Sequence, residues 1–295
     1  MINRENLQEL LGALSFEKKG SIYKKQIGST TLEVNFAKNQ IVYPEADGLV
    51  INERQTCNFD SNENFVVFEC VHRLLWKGYR PEHIELEPKW KLGHGASGGR
   101  ADVLVKDNHG RPLLIIECKT VGAEFKRAWN RTLQDGDQLF SYAQQIAETQ
   151  FLCLYTSDLD GGAVRYTSHI IAHRDNEKYL IDNPLFRDFK SVSNVRERHA
   201  VWRDTYKLDY TTKGIFEDNI QPYHIGKDKY SLADLHAISA TDQQKKYHEF
   251  ATILRQHNVS GRENAFDKLV NLFLCKLVDE IATPSELKFY WTGAA

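Results

Sequence analysis

The 295-residue sequence predicts an α/β fold, a central mixed sheet flanked by helices, with a helical extension at the C-terminal end. Three observations predict it. A stretch from about Ser61 to Gly78 carries apolar residues at helical spacing. Two strand-like runs, Arg100–Lys106 and Leu113–Lys119, are joined by the turn-dense segment Asp107–Pro112. A second helical stretch then leads into another apolar strand.

Taken in order, the first 55 residues suggest a short helix over Arg4–Leu14 and then strands, Thr31–Phe36 among them. In the next helix Asp60 is placed to cap the first turn, with Glu63 answering three residues later, and Gly78 is placed to close the last turn. Its stripe of Val67, Cys70, Val71, Leu74 and Leu75 faces a core, and Phe65, Glu69, His72 and Trp76 form a second face. A helix so apolar around its circumference belongs between layers. Strands are expected at His83–Lys91, Arg100–Lys106 and Leu113–Lys119, the last two as an antiparallel hairpin. A single helical stretch follows from about Ala123 to Glu148, then a strand at Phe151–Thr156, then a polar, irregular region reaching about Gly226. The stripe Phe266, Leu269, Val270, Phe273, Leu274, Leu277, Val278 and Ile281 makes a strongly one-sided helix that requires a partner surface. The organisation expected is residues 1–55 packing on the core, a core at 56–175, an irregular connection at 176–230, and a helical region at 231–295 leading toward a further domain.

Composition excludes several classes. With 41% hydrophobic and 26% charged residues, the chain reads as globular. No apolar run approaches the roughly 20 residues of a membrane span, and the start lacks the pattern of a signal peptide. Five scattered cysteines without a Cys-x-x-Cys pair argue against a disulfide framework or a zinc site, and for a reducing cytoplasm. A formal charge of −2 leaves a nucleic-acid partner open, because such surfaces are local.

The chemistry concentrates in GGRADVLVKDNHGRPLLIIECKT. On a strand, side chains two apart share a face, so Glu117 and Lys119 point together and Cys118 points away. The hairpin brings Asp102 alongside Glu117. Paired carboxylates hold a hard divalent cation, a lysine beside them orients a water or offsets charge on a phosphorus centre, and the Cys118 backbone carbonyl is a further candidate ligand. The bland alternative is a solvated ion pair. Against it, Leu113–Ile116 is apolar on both faces, and a buried charge is costly unless paired or bound to metal. Downstream, Lys126, Arg127 and Arg131 make a locally basic helix near Trp129, suited to phosphate contacts. The glycine-rich loop 93–99 lacks the ending of a phosphate-binding loop, and its His94 reads as a bystander.

These residues resemble the PD-(D/E)XK nuclease superfamily, in particular the N-terminal nuclease domain of type I restriction endonuclease R subunits and of restriction–modification fusions. FECVHRLLWKGY, RADVLV and IIECK carry the resemblance, over roughly residues 60–157. Ala101 stands where the family name has proline. The resemblance implies Asp102 and Glu117 as ligands of Mg2+ (or Mn2+), Lys119 as the catalytic lysine, and Glu69 as a helical glutamate completing the metal shell. It further implies Gln138 and Tyr142 as a Q-x-x-x-Y pair sharing one helix face. The expected activity is metal-dependent cleavage of double-stranded DNA. The tail resembles the lead-in to an adenine-N6 methyltransferase, so a methyltransferase or specificity domain or subunit is the expected second partner, and the chain is expected to be part of a longer protein. Asp182–Phe186 only echoes the methyltransferase Asn-Pro-Pro motif. The alternatives are a nuclease-like module that binds without cutting and a structural domain with a buried ion pair.

Overall fold

The computed structural model describes residues 1–88, 100–146, 148–172, 187–192, 194–218, 220–225, 252, 262–282 and 287. The expected bystander His94, its loop and the Asp182–Phe186 echo lie outside the described residues. The chain divides into two compact units, Met1–Gly226 and Lys227–Ala295.

In the first unit, α1 (Leu7–Ala13) precedes a small antiparallel sheet, β1 (Glu17–Lys19), β2 (Ile22–Ile27), β3 (Thr30–Asn35) and β4 (Gln40–Val42). The short strand β5 (Val50–Ile51) and helix α2 (Asn62–Lys77) follow. Then come β6 (Ile84–Leu86), β7 (Val103–Lys106) and β8 (Pro112–Cys118). The helices α3 (Ala123–Asp135) and α4 (Asp137–Gln145) lead to β9 (Phe151–Asp160) and β10 (Ala163–Ala172), and α5 spans Val195–Asp204. The main sheet runs β10-β9-β8-β7-β6-β5 and is mixed. β5 pairs with β6 and β8 with β9 in parallel, and the other neighbours are antiparallel. The parallel β8–β9 pair needs a long crossover, which α3 and α4 supply.

Period-2 alternation along the central strands divides the core. Val103, Val105, Leu114, Ile116, Cys118, Cys153 and Tyr155 join α1, α2 and the small sheet on one side. Leu104, Ile115, Leu152 and Leu154 pack on the other with Phe125, Trp129, Phe140, Tyr142 and Trp202 of the helices. Residues 1–55 therefore share a core with α2 and the main sheet. The second face of α2 is buried as expected except at Trp76, which is 65% exposed and has the Lys25 ammonium 4.1 Å from its ring centroid.

Three details differ from the sequence reading. The helix expected over 123–148 is two helices, because Gly136 adopts a left-handed φ of +86° and ends α3. The cap of α2 is Ser61 rather than Asp60, its hydroxyl accepting the Glu63 N–H at 3.2 Å. The region expected to be irregular contains α5, and the strand expected to stop at Thr156 extends to Asp160 and returns as β10.

In the second unit, α6 (Arg262–Ala282) is the helix expected from the apolar stripe, and its Phe273, Leu274, Leu277, Val278 and Ile281 side chains are exposed. No helix among the described residues is long and apolar enough to cross a membrane.

Candidate active site

The β7–β8 hairpin aligns the two carboxylates. Val103 pairs with Ile116, so one step further along the ladder Asp102 faces Glu117 across the strands. The link is also direct, since the Cys118 N–H donates to Asp102 Oδ2 at 2.7 Å. On a strand a residue's N–H and C=O point to the same side, so the Cys118 carbonyl is turned toward Asp102 as well. Its thiol lies on the opposite face, fully buried. Lys119 leaves β8 with its N–H still donating to Tyr155 O at 2.9 Å, which fixes the direction of its side chain. Its ammonium donates to Glu117 Oε1 at 2.7 Å and to Glu63 Oε2 at 3.1 Å.

Glu63, in the first turn of α2, is thus the helical glutamate that reaches this cluster. Glu69, the residue matched by resemblance, does not. It is fully buried, one carboxylate oxygen pairing with Arg73 and the other accepting from Tyr155 Oη at 2.6 Å. Glu69, which the resemblance matched to a metal shell, thus has both of its oxygens bonded within the chain. The sequence shows Glu63 only as a capping residue. The signal for its second role is its place at the helix end, which only the tertiary fold brings to Lys119.

Glu117 is 3% exposed, and its Oε2 is buried with no hydrogen-bond partner. The Tyr142 hydroxyl lies within hydrogen-bonding reach of this carboxylate and also donates at 2.8 Å to the carbonyl of Arg100, two residues before Asp102. Arg100 is itself tied by its guanidinium to Glu53 and Gln55. Burial, and then the neighbouring Glu117 charge, pushes the Asp102 carboxyl well above its ordinary range. Burial also raises Glu117, against the pull of Lys119. For Lys119 burial alone would favour the neutral amine, but Glu117, Asp102 and Glu63 outweigh it and hold the ammonium charged above its usual range.

The remaining expected residues separate. Tyr142 is buried beside the pair, whereas Gln138, four residues earlier on α4, is exposed. Lys126, Arg127 and Arg131 are exposed on α3, whose buried side holds Phe125, Trp129 and Thr132. Trp129 packs against Trp202, His169 and Tyr210 and is a core residue.

Among the described residues no group of three or more His, Cys, Asp or Glu side chains converges as a ready cation site. The donors nevertheless suit one. A buried carboxylate oxygen without a hydrogen donor, a second carboxylate across the hairpin and a nearby carbonyl are hard oxygen ligands of the kind Mg2+ and Mn2+ take. Compared with known proteins, the chain matches no family model and no curated protein at significant similarity.

The raised carboxyls have a consequence for stability. Their folded-state pKa values lie above the ordinary 3.8 and 4.5, so in that window the folded chain keeps protons that the unfolded chain has released. Without metal, the contribution of these two carboxyls to the free energy of unfolding therefore falls as pH rises above about 4. Asp102→Asn removes one of the two titrations and flattens that fall. Urea unfolding across this range measures it, and an unchanged slope would show that Asp102 ionises in the folded chain as freely as in water.

Proposed function

We propose that this chain is the divalent-metal-dependent DNA endonuclease domain of a restriction–modification enzyme, of type I or a related fused type, built on a PD-(D/E)XK-like core. One observation supports the reading best: Asp102, Glu117 and Lys119 meet at one end of the main sheet, with Glu117 almost fully buried.

In this reading Asp102, Glu117 and the Cys118 carbonyl hold Mg2+ or Mn2+, which supplies an activated water and charge neutralisation at the phosphate. Lys119 presents its ammonium where negative charge builds on the phosphorus oxygens. Glu63 orients that ammonium. Tyr142, anchored on the Arg100 carbonyl, keeps the strand before Asp102 in place beside Glu117. Lys126, Arg127 and Arg131 bind the backbone of double-stranded DNA without reading its sequence. A methyltransferase or specificity domain of the same system is the proposed second partner, and the cytoplasm the proposed location.

The role of α3 has a direct test. If all three basic residues contact phosphates, the triple variant Lys126→Ala, Arg127→Ala, Arg131→Ala lowers the slope of log affinity against log salt by about 2–3, at roughly 0.9 per phosphate. Fluorescence anisotropy of a labelled duplex at several salt concentrations reads this out. A slope equal to that of the parent protein would move the DNA path away from α3.

A further inference from the structure

The same cluster carries a second consequence, which rests on the nuclease reading. Three carboxylates, Glu63, Glu117 and Asp102, surround the Lys119 ammonium, and it donates to two of them, at 2.7 Å to Glu117 Oε1 and 3.1 Å to Glu63 Oε2. Its side chain is only 17% exposed and that of Glu117 only 4%, so water does little to screen the pair. The guanidinium of Arg100, two residues before Asp102, is committed to Glu53 and Gln55. Lys119 therefore performs the neutralisation that a bound cation would perform, on one of the same carboxylates.

We propose that Lys119 is an internal counter-ion that a divalent cation must displace from Glu117, so that the lysine opposes cation uptake before it serves the chemical step. A dication shared by Asp102 and Glu117 repels an ammonium held on the same carboxylate, and this repulsion is strong where screening is weak.

The displaced ammonium has a place to go. Glu63 keeps hold of it from α2. The parallel β8–β9 register, Cys118 opposite Tyr155, puts Thr156 beside Lys119 on the same face of the sheet. Thr156 is 3% exposed, and its hydroxyl is buried without a hydrogen-bond partner among the described residues. One ammonium thus has two settings, one on Glu117 and Glu63, the other on Glu63 and Thr156 with Glu117 released to the cation.

The test is Mn2+ binding by the metal-free protein at about pH 8, read as the loss of the free-ion electron paramagnetic resonance signal. Lys119→Met removes the competing charge and is expected to tighten Mn2+ binding about tenfold or more, whereas Lys119→Arg, which keeps the charge, stays within about threefold of the parent. In parallel, Mn2+ raises the melting temperature of Lys119→Met by more than that of the parent protein, because the variant's carboxylates are otherwise uncompensated. Should Lys119→Met fold poorly, Lys119→Gln replaces it in both measurements. Equal or weaker Mn2+ binding by the neutral variant, with the parent binding normally, overturns the counter-ion role and leaves the nuclease reading standing. Absence of Mn2+ uptake by parent and variant alike overturns the nuclease reading, and the inference with it.

Discussion

Asp102→Ala and Glu117→Ala are each expected to reduce cation-dependent DNA cleavage by about a thousandfold or more, the loss that follows when the group stabilising charge in the transition state is no longer held. Neither change should unfold the chain. Burial already disfavours both carboxylates in the charged form, and Glu117 Oε2 has no donor to lose. In Glu117→Ala the ammonium of Lys119 retains Glu63, and in Asp102→Ala it retains both Glu117 and Glu63. The expected pattern is therefore a dead enzyme that stays folded, with parent-like DNA binding and, for Asp102→Ala, a loss in urea of no more than about 1–3 kcal/mol because the Cys118 N–H loses its acceptor. Cleavage is read under single-turnover conditions with saturating Mg2+. A variant that cuts at more than about a tenth of the parent rate would remove that residue from the metal site.

The opposite pattern is expected at the other glutamate of α2. Glu69 is fully buried, and Arg73 carries its counter-charge, with the Tyr155 hydroxyl on the second oxygen. Arg73 also lies 4.2 Å from the centroid of the Tyr166 ring, so its charge and its packing act together. Arg73→Ala leaves a carboxylate in the interior with one neutral donor, a change that costs about 3–5 kcal/mol when one partner of a buried pair is removed. Urea unfolding should show that loss, while the cleavage rate per folded molecule stays near the parent value. A loss below about 1 kcal/mol would mean that water reaches Glu69 and replaces the arginine.

Much of this arrangement was legible in the residues, and the reasons are local. α2 has an unbroken apolar period and a glycine at its end, and Gly78 takes the left-handed φ of +104° that such an end requires. The hairpin of β7 and β8 follows from turn residues between two apolar runs, and strand alternation then puts Glu117 and Lys119 on one face. The cue for β10 was present and went unread. Gly161 and Gly162 have φ values of +58° and +77°, the left-handed pair of a tight hairpin turn, between strands that register Asp160 with Ala163. The strand was obscured because β10 lies at the edge of the sheet, where polar residues such as Arg165 and Thr167 face solvent and dilute the apolar pattern.

The candidate site was legible only within the hairpin. Asp102, Glu117 and Lys119 lie close together in sequence and on two strands, so period and turn suffice to bring them together. Glu63 and Tyr142 come from helices on either side of that segment, and no local pattern says which turn of α2 meets the end of β8. Sequence matching selected Glu69, six residues further along the helix, and the fold gave that residue to Arg73 and Tyr155. Gln138 shows the same limit. Spacing put it on one helix face with Tyr142, but α4 packs so that Tyr142 is buried and Gln138 is exposed.

The most direct measurement is cleavage of duplex DNA by the full-length protein and by its Lys119→Met variant, each with Mg2+, with Mn2+, with Ca2+ and with a chelator. The account predicts cutting by the parent with Mg2+ or Mn2+ alone. Ca2+, with its larger and looser coordination shell, places water poorly and supports binding without turnover. Lys119→Met is expected to bind DNA as the parent does and to cut it at least about a hundredfold more slowly. Cutting by Lys119→Met at the parent rate, or cutting by the parent in the presence of the chelator, would contradict it.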